Sequence, residues 1–223
     1  MVTDEPDRAA PRGAGLDDRA TRRGRPPATT TREIQSVAIG FFRDHGYADT
    51  NVEDIAAALG ISRATFFRYF PSKSSLIWRD FEENHRVLLT VLRQELGRQP
   101  VLSALGEAVL ASIVYDEQDR ERIRARYELI RDAPELSYEG SATSTKWAHS
   151  IADAIRPRLA PGRNPAIPEA VGFATIGVAG AASRFWIASP PGTSFTELLR
   201  MSFHAVAVPY RAAFLDPEPP VER

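Results

Sequence analysis

Arg63, Arg68, Lys73 and Arg79 fall in a segment, Ile55 to Arg79, that carries no acid, and Thr65, Phe67 and Tyr69 are interleaved with them. Such a set can hold anions. Ammonium and guanidinium groups neutralise phosphates, and a guanidinium fork also matches guanine O6 and N7 on a major-groove edge. A second basic run lies upstream, where arginines 19, 22, 23, 25 and 32 stand with no acid between Arg19 and Arg32. The formal net charge is only -1 over 223 residues, so the basic character is confined to one end of an otherwise neutral molecule. Bond-making chemistry finds little support. His45, His85, His149 and His204 are far apart, and Glu82 with His85 makes a single Glu-x-x-His pair without the second copy of a helical metal site. There is no P-loop, dinucleotide glycine pattern or nucleophile elbow. The chain is expected to be no enzyme and to need no metal or cofactor. With no cysteine, disulfides and thiolate metal sites are excluded, which fits a reducing, cytoplasmic setting. No apolar run of about 18 to 20 residues stands out, so neither a membrane span nor a signal peptide is expected.

The elements that must position these cations read as helices, and 43% hydrophobic residues can build a core around them. Residues 1–29 are rich in Pro, Gly, Arg, Asp and Ala and read as a disordered basic arm, and 216–223, with three prolines, as a disordered tail. A first helix starts near Thr30 or Thr31, with Thr31 able to cap it. It repeats Ile34, Val37, Ala38, Phe41 and Phe42 at helical spacing before Gly46. Asn51 with Asp54 makes a capping-box-like start to a second, Val52 to Leu59, and Gly60 turns the chain so that Ser62 can cap a third. The alanines at 56–58 permit a close crossing of the two short helices. A helix-turn-helix is the expected product, spanning 30–75 with the first helix. Pro71 then ends the third helix, and Ser72 caps a long fourth from Lys73 to Gly97. Further helices are expected over 101–115, 119–131, 135–159, 166–188 and 194–214, so the fold class is all-α, with a C-terminal helical domain over 76–215.

A recognition helix offers its N-terminal residues to the major groove, which places Arg63, Ala64 and Thr65 at base edges and Ser62 at the cap. Phe66 and Phe70 should then be core, while Arg68, Tyr69 and Lys73 face the phosphates. Taken singly, Arg63 and Arg68 could be phosphate clamps instead of base readers, and Tyr69 could be structural. The run Gly60-Ile61-Ser62-Arg63-Ala64-Thr65-Phe66-Phe67-Arg68-Tyr69-Phe70-Pro71-Ser72-Lys73, with Tyr47 to Ala56 before it, resembles the recognition segment of the TetR family of repressors. The resemblance implies a regulator that binds double-stranded operator DNA as a homodimer. Phe67 stands where the family commonly has a phosphate-binding tyrosine, so that contact would pass to an aromatic ring on sugar or thymine methyl. Thr50 and Asn51 are caps first and phosphate contacts second. Arg25, in a Gly-Arg-Pro sequence, is a candidate for the minor groove, the alternative being a solvated tail.

In the C-terminal half, the helix over 166–188 carries interior Gly172, Gly177 and Gly180, each costing about 1 kcal/mol against alanine. Ala170, Ala174, Gly177, Ala181 and Ala188 fall on a small-residue stripe with Phe185 beside it, and Phe195, Leu199 and Phe203 lie on the apolar stripe of the last helix. In TetR-type proteins the final two helices make the dimer interface, and these residues are its candidates. The alternative is packing inside one subunit. Trp78 to Phe81 and Arg131 to Leu136 resemble the mycofactocin-regulator branch, which implies a small hydrophobic effector such as a fatty acyl-CoA. Phe81, Tyr127, Arg131, Trp147 and Phe173 are candidate cavity residues, and Arg124, Arg126 and Arg131 candidate phosphate partners by charge alone. The rival reading is a helical protein-interaction module, or an activator with no small-molecule effector.

Overall fold

The computed structural model describes residues 30–214. The expectations for the arm, Arg25 included, and for the C-terminal tail lie outside that range. The order of elements is α1 (Thr31–His45), α2 (Val52–Ala58), α3 (Arg63–Tyr69), α4 (Ser75–Glu95), α5 (Val101–Ser112), α6 (Arg120–Asp132), α7 (Pro134–Ile155), α8 (Ile167–Ala188) and α9 (Phe195–Ala207). Short 3-10 turns follow at Glu117–Asp119, Arg156–Arg158 and Val208–Ala213. The fold is all-α, with a single isolated bridge between Leu159 and Phe214 among the described residues.

Local chemistry accounts for most boundaries. Thr30, not Thr31, caps α1: its side chain accepts from the Glu33 amide while the Glu33 carboxylate accepts from the Thr30 amide. Between α2 and α3 the Ile61 amide donates to Ala56 O at 3.0 Å and the Gly60 amide to Ala57 O at 3.0 Å, a Schellman closure that needs the positive φ of +64° at Gly60. The long fourth helix starts two residues later than expected. Ser72 Oγ accepts from the Ser75 amide, and Ser75 Oγ donates to Ser72 O at 2.6 Å, so 72–74 form a turn ahead of the helix.

Two cores share the chain. Ile34, Phe42, Ile55, Phe66, Phe70, Leu76, Ile77 and Trp78 form the first, which is closed by Ala133 and Leu136 from the α6–α7 corner. The second gathers Leu92, Leu105, Ile123, Ile151, Ile155, Trp186, Phe195 and Leu199. The first core therefore reaches past residue 75 into α4 and borrows from α7. In α8, a Cβ at Gly172 would lie 2.2 Å from the Ala148 carbonyl oxygen of α7, so this glycine is what allows the two helices to cross. Gly172→Ala is expected to destabilise the protein by about 1–3 kcal/mol despite alanine's better helix propensity. Urea denaturation measures it, and an unchanged midpoint would show that α7 yields freely. α8 is also the described helix long and apolar enough to cross a membrane, against the expectation of no such run. It packs against α7 and α9 in the second core.

Candidate DNA-binding surface and ligand cavity

α3 is held by Phe66 and Phe70, both fully buried, and its start is capped by Ser62 Oγ accepting from the Thr65 amide at 3.1 Å. Packing on that side leaves Ser62, Arg63, Ala64, Phe67 and Arg68 exposed on the other. Arg63 pairs with Glu53 of α2 at 3.0 Å and lies 5.4 Å from the Phe67 ring centroid, while Arg68 lies 5.4 Å from the Tyr69 ring centroid. The Glu53 pair is open to solvent, so breaking it costs little. Asn51 is the N-cap of α2 without a side-chain cap bond.

The placement of two expected phosphate contacts is different from that expected. Lys73 Nζ donates to three carbonyl oxygens of the α1–α2 connection, Tyr47 at 2.7 Å and Ala48 and Thr50 at 3.3 Å, and sits 4.3 Å from the Tyr47 ring centroid. An ammonium has three donors, so Lys73 is committed to clamping this connection. Thr50 is buried, and its hydroxyl lies against Gly46 O at 2.8 Å and Phe41 O at 3.3 Å. Arg79, by contrast, donates to Tyr69 O at 2.7 Å and covers Phe70, bracing the C-terminal end of α3.

Beneath this unit a cavity of about 1010 Å³ opens among α4, α5, α6, α7 and α8. Of the residues expected there, Phe81, Tyr127, Arg131 and Trp147 line it. Phe173 does not: it is 47% exposed on α8 and meets His149 edge-on at 5.7 Å, because its helical position points it away from the cavity. Burial pushes up the hydroxyl pKa values of the lining residues Tyr115 and Tyr127, so both remain protonated donors at neutral pH. Trp78 and Tyr115, aromatics of the same helices, line it too, as do His85 and Arg184, to which no sequence signal pointed.

The three arginines chosen by charge part company. Arg131 borders the cavity and pairs with Asp132 at 2.7 Å. Arg124 also borders it but donates to Ile187 O at 2.7 Å, near the α8 C-terminus. Arg126 is wholly buried: its Nη2 donates to Asp80 at 2.5 Å, and its Nε and Nη1 have no partner among the described residues. Asp80 is the node of a larger network. Arg122 also donates to it at 2.8 Å, and Gln35 of α1 donates to both Asp80 at 3.2 Å and Leu76 O at 3.1 Å. Burial works to raise the Asp80 pKa, but Arg126, Gln35 and Arg122 together hold it below the ordinary carboxylate value. One carboxylate of α4 thus ties the first helix of the DNA-facing unit to a wall of the cavity.

On α8 the interior glycine Gly172 and the small-residue stripe face different ways. Gly172 packs within the subunit, whereas Ala170, Gly177, Ala181 and Phe185 are exposed and Ala174 is half-buried. Phe195 and Leu199 are corrected: both are buried in their own subunit's core, Phe195 against Tyr115 and Trp186, because α9 turns that stripe inward. Phe203 is half-buried and would contact a Cβ at Gly106 of α5. The outer face of α9 instead carries Met201 and Val206.

Two family models match this geometry in register: residues 34–78 match the bacterial regulatory proteins of the tetR family, and residues 99–211 match the MftR C-terminal domain. A protein of Mycobacterium tuberculosis described as a mycofactocin biosynthesis transcriptional regulator, MftR, is 34% identical over 186 residues, covering 83% of this chain and 93% of the relative. The regulator TcmR of Streptomyces glaucescens is 32% identical over 49% of this chain and 46% of its own length. Among solved structures, SmeT in complex with triclosan superposes with a TM-score of 0.57 at 20% identity, over 86% of this chain and 99% of that one. SmeT is elsewhere described as the repressor of a Stenotrophomonas maltophilia efflux pump. The helix-turn-helix match, the C-terminal match over half the chain and the near full-length relative together establish that the chain belongs to the TetR family of transcriptional regulators, and is not an enzyme.

Proposed function

We propose that the protein is a cytoplasmic repressor that binds operator DNA as a homodimer and is released by a small hydrophobic effector, with a fatty acyl-CoA as the first effector to test. The observation that carries this reading is the course of α4. Its first turn lies in the core that supports α3, and Phe81, Asn84, His85 and Leu88 further along form a wall of the cavity. A ligand that shifts α4 would move the recognition helices relative to each other, and a dimer must present them about 34–36 Å apart, or a multiple of that, to enter successive grooves. The Asp80 network adds a second tie, from α6 through α4 to α1. SmeT, solved with triclosan, gives a structural neighbour with a small apolar ligand. Arg131 and Arg184 border the cavity and could meet the phosphates of a nucleotide head left outside. For DNA the working set is Asn51, Ser62, Arg63, Ala64, Thr65, Phe67, Arg68 and Tyr69. Lys73 and Thr50 would position the connection beside it, offering backbone and not side-chain contacts.

The test is fluorescence anisotropy on DNA from the gene's own upstream region, across a salt series, with and without palmitoyl-CoA. A coupling of about 1–3 kcal/mol would lower DNA affinity some 5- to 150-fold. Unchanged affinity with saturating acyl-CoA removes that effector, and salt-independent or absent DNA binding removes the regulator mechanism proposed here. Within the same assay, Arg63→Ala is expected to lose about 1–3 kcal/mol at one base pair if its fork is bidentate. A uniform loss across operator variants would make Arg63 a phosphate clamp.

A further inference from the structure

The two arginines of α3 keep different company. Arg68 lies beside the Tyr69 ring and has no carboxylate partner among the described residues, whereas Glu53, in the first turn of α2, reaches within 3.0 Å of Arg63. A carboxylate is out of place here. From Ile55 to Arg79 the chain holds no acid, and a negative charge on a surface that meets DNA is repelled by the phosphates. The pair does not serve folding either, since the side chains of Arg63 and Glu53 are 68% and 55% exposed and such pairs stabilise little. Glu53 also suits the N-terminal end of the α2 dipole, as its neighbour Asp54 does, but that role needs no contact with Arg63.

What the contact does is hold a guanidinium. Glu53 Oε1 meets Arg63 at Nε, the inner nitrogen, and the Phe67 ring centroid lies 5.4 Å from the guanidinium carbon. The terminal nitrogens Nη1 and Nη2 make no hydrogen bond among the described residues. They form the end of the fork, which matches guanine O6 and N7. A freely rotating arginine must lose that freedom to read a base, and it can reach a phosphate on any DNA instead. Held at Nε and flanked by Phe67, Arg63 has already lost part of that freedom. Turning to a phosphate would also strip Glu53 of its counter-charge beside a polyanion. Once DNA covers the pair and excludes water, the attraction between the two groups strengthens.

We propose that Glu53 is a positioning residue for sequence discrimination: it holds Arg63 in the base-reading orientation and penalises use of the same arginine as a phosphate clamp on unrelated DNA. This rests on the reading of Arg63 as a base reader.

The signature is two effects of opposite sign in full-length Glu53→Gln. Affinity for unrelated DNA should rise, with a salt slope steeper by about one unit per subunit as Arg63 takes up a phosphate. The preference at the base pair that Arg63 reads, about 5- to 150-fold for a bidentate contact, should be largely lost. Fluorescence anisotropy on every single-base-pair variant of the site protected in the gene's own upstream region reads both, with Arg63→Ala and the double variant alongside. In the Arg63→Ala background, Glu53→Gln should leave all base-pair preferences unchanged, because it acts through Arg63. A role confined to the start of α2 would instead lower the melting temperature and change affinity for all sequences alike. The proposal is overturned by an unaltered preference in Glu53→Gln, by a loss at a base pair other than the one that Arg63→Ala affects, or by a loss that persists in the Arg63→Ala background. Each of these leaves the base-reading role of Arg63 standing. A uniform loss in Arg63→Ala removes that role, and the proposal with it.

Discussion

Asp80→Ala is expected to lower the free energy of unfolding by about 3–5 kcal/mol, the usual consequence of removing one partner from a buried ion pair. Arg126 has no exposure and gives its only hydrogen bond among the described residues to Asp80. Without the carboxylate a buried guanidinium is left with no counter-charge. Arg122 fares better, since Asp119 holds it at 2.7 Å from the other side. Asp80→Asn keeps an oxygen for Gln35 and should cost less than the alanine variant. Urea denaturation at neutral pH measures both, and a loss no larger than that of an exposed-pair variant such as Glu83→Ala would show that water reaches Arg126. The same group makes stability fall in acid. The folded-state carboxyl titrates below its ordinary value of 3.8, so its contribution is complete above that value and is lost as pH falls through the lower folded-state value. In Asp80→Asn this part of the acid sensitivity should disappear. Because Gln35 leads from Asp80 into α1, the variant should also weaken communication between cavity and DNA, read as a smaller effector-dependent change in DNA affinity.

Ala181→Arg is expected to convert a dimer to a monomer without unfolding the subunit. Ala181 is exposed on the outer face of α8, close to Phe185, which is 64% exposed, while Met201 of α9 is 62% exposed. Large apolar groups left open beside small residues are what a close helix-to-helix contact between subunits requires. Gly177 shares this face and no described atom lies within 4 Å of a Cβ built there, but it also borders the cavity, so Ala181 is the cleaner probe. An unpaired charge in such a contact costs about 3–5 kcal/mol, or some 10²- to 10⁴-fold in the dimer dissociation constant. Sedimentation should show the monomer, the melting temperature of the subunit should change little, and operator binding should collapse because each half-site is gripped alone. A residue on the two-fold axis meets its own mate, so if Ala181 lies there, mixing Ala181→Arg with Ala181→Glu chains should restore part of the dimer. An unaltered dimer in Ala181→Arg would place the interface elsewhere.

The helix-turn-helix was legible in the sequence because its determinants are local. Ser62 caps α3, Gly60 takes the positive φ of the turn, and Phe66 and Phe70 recur at helical spacing, all within a dozen residues. Helix count and order followed for the same reason, since prolines, glycines and capping residues act on their neighbours in the chain. Family resemblance was carried by the same short stretch.

What the sequence could not determine is where long or amphipathic side chains end up when two faces of a helix are both plausible. Lys73 looked like a phosphate contact, but its partners are the carbonyls of residues 47, 48 and 50, which only the fold brings to it. Arg126 and Arg124 were equivalent by charge, yet one is buried on Asp80, 46 positions away, and the other sits at the cavity wall and donates near the end of α8. Phe173 was placed in the cavity as an aromatic residue of the C-terminal helices, and Phe195 at the interface by the family resemblance and the apolar stripe of its helix; neither signal says which neighbour the side chain meets. Helical patterning is a one-dimensional signal with a range of a turn or two. By itself the sequence therefore determined the all-α class, the DNA-facing motif and its family, while the ion pairs from Asp80 of α4 to α6, the cavity among α4 to α8 and the inward turn of α9 were decided by contacts between residues distant in the chain.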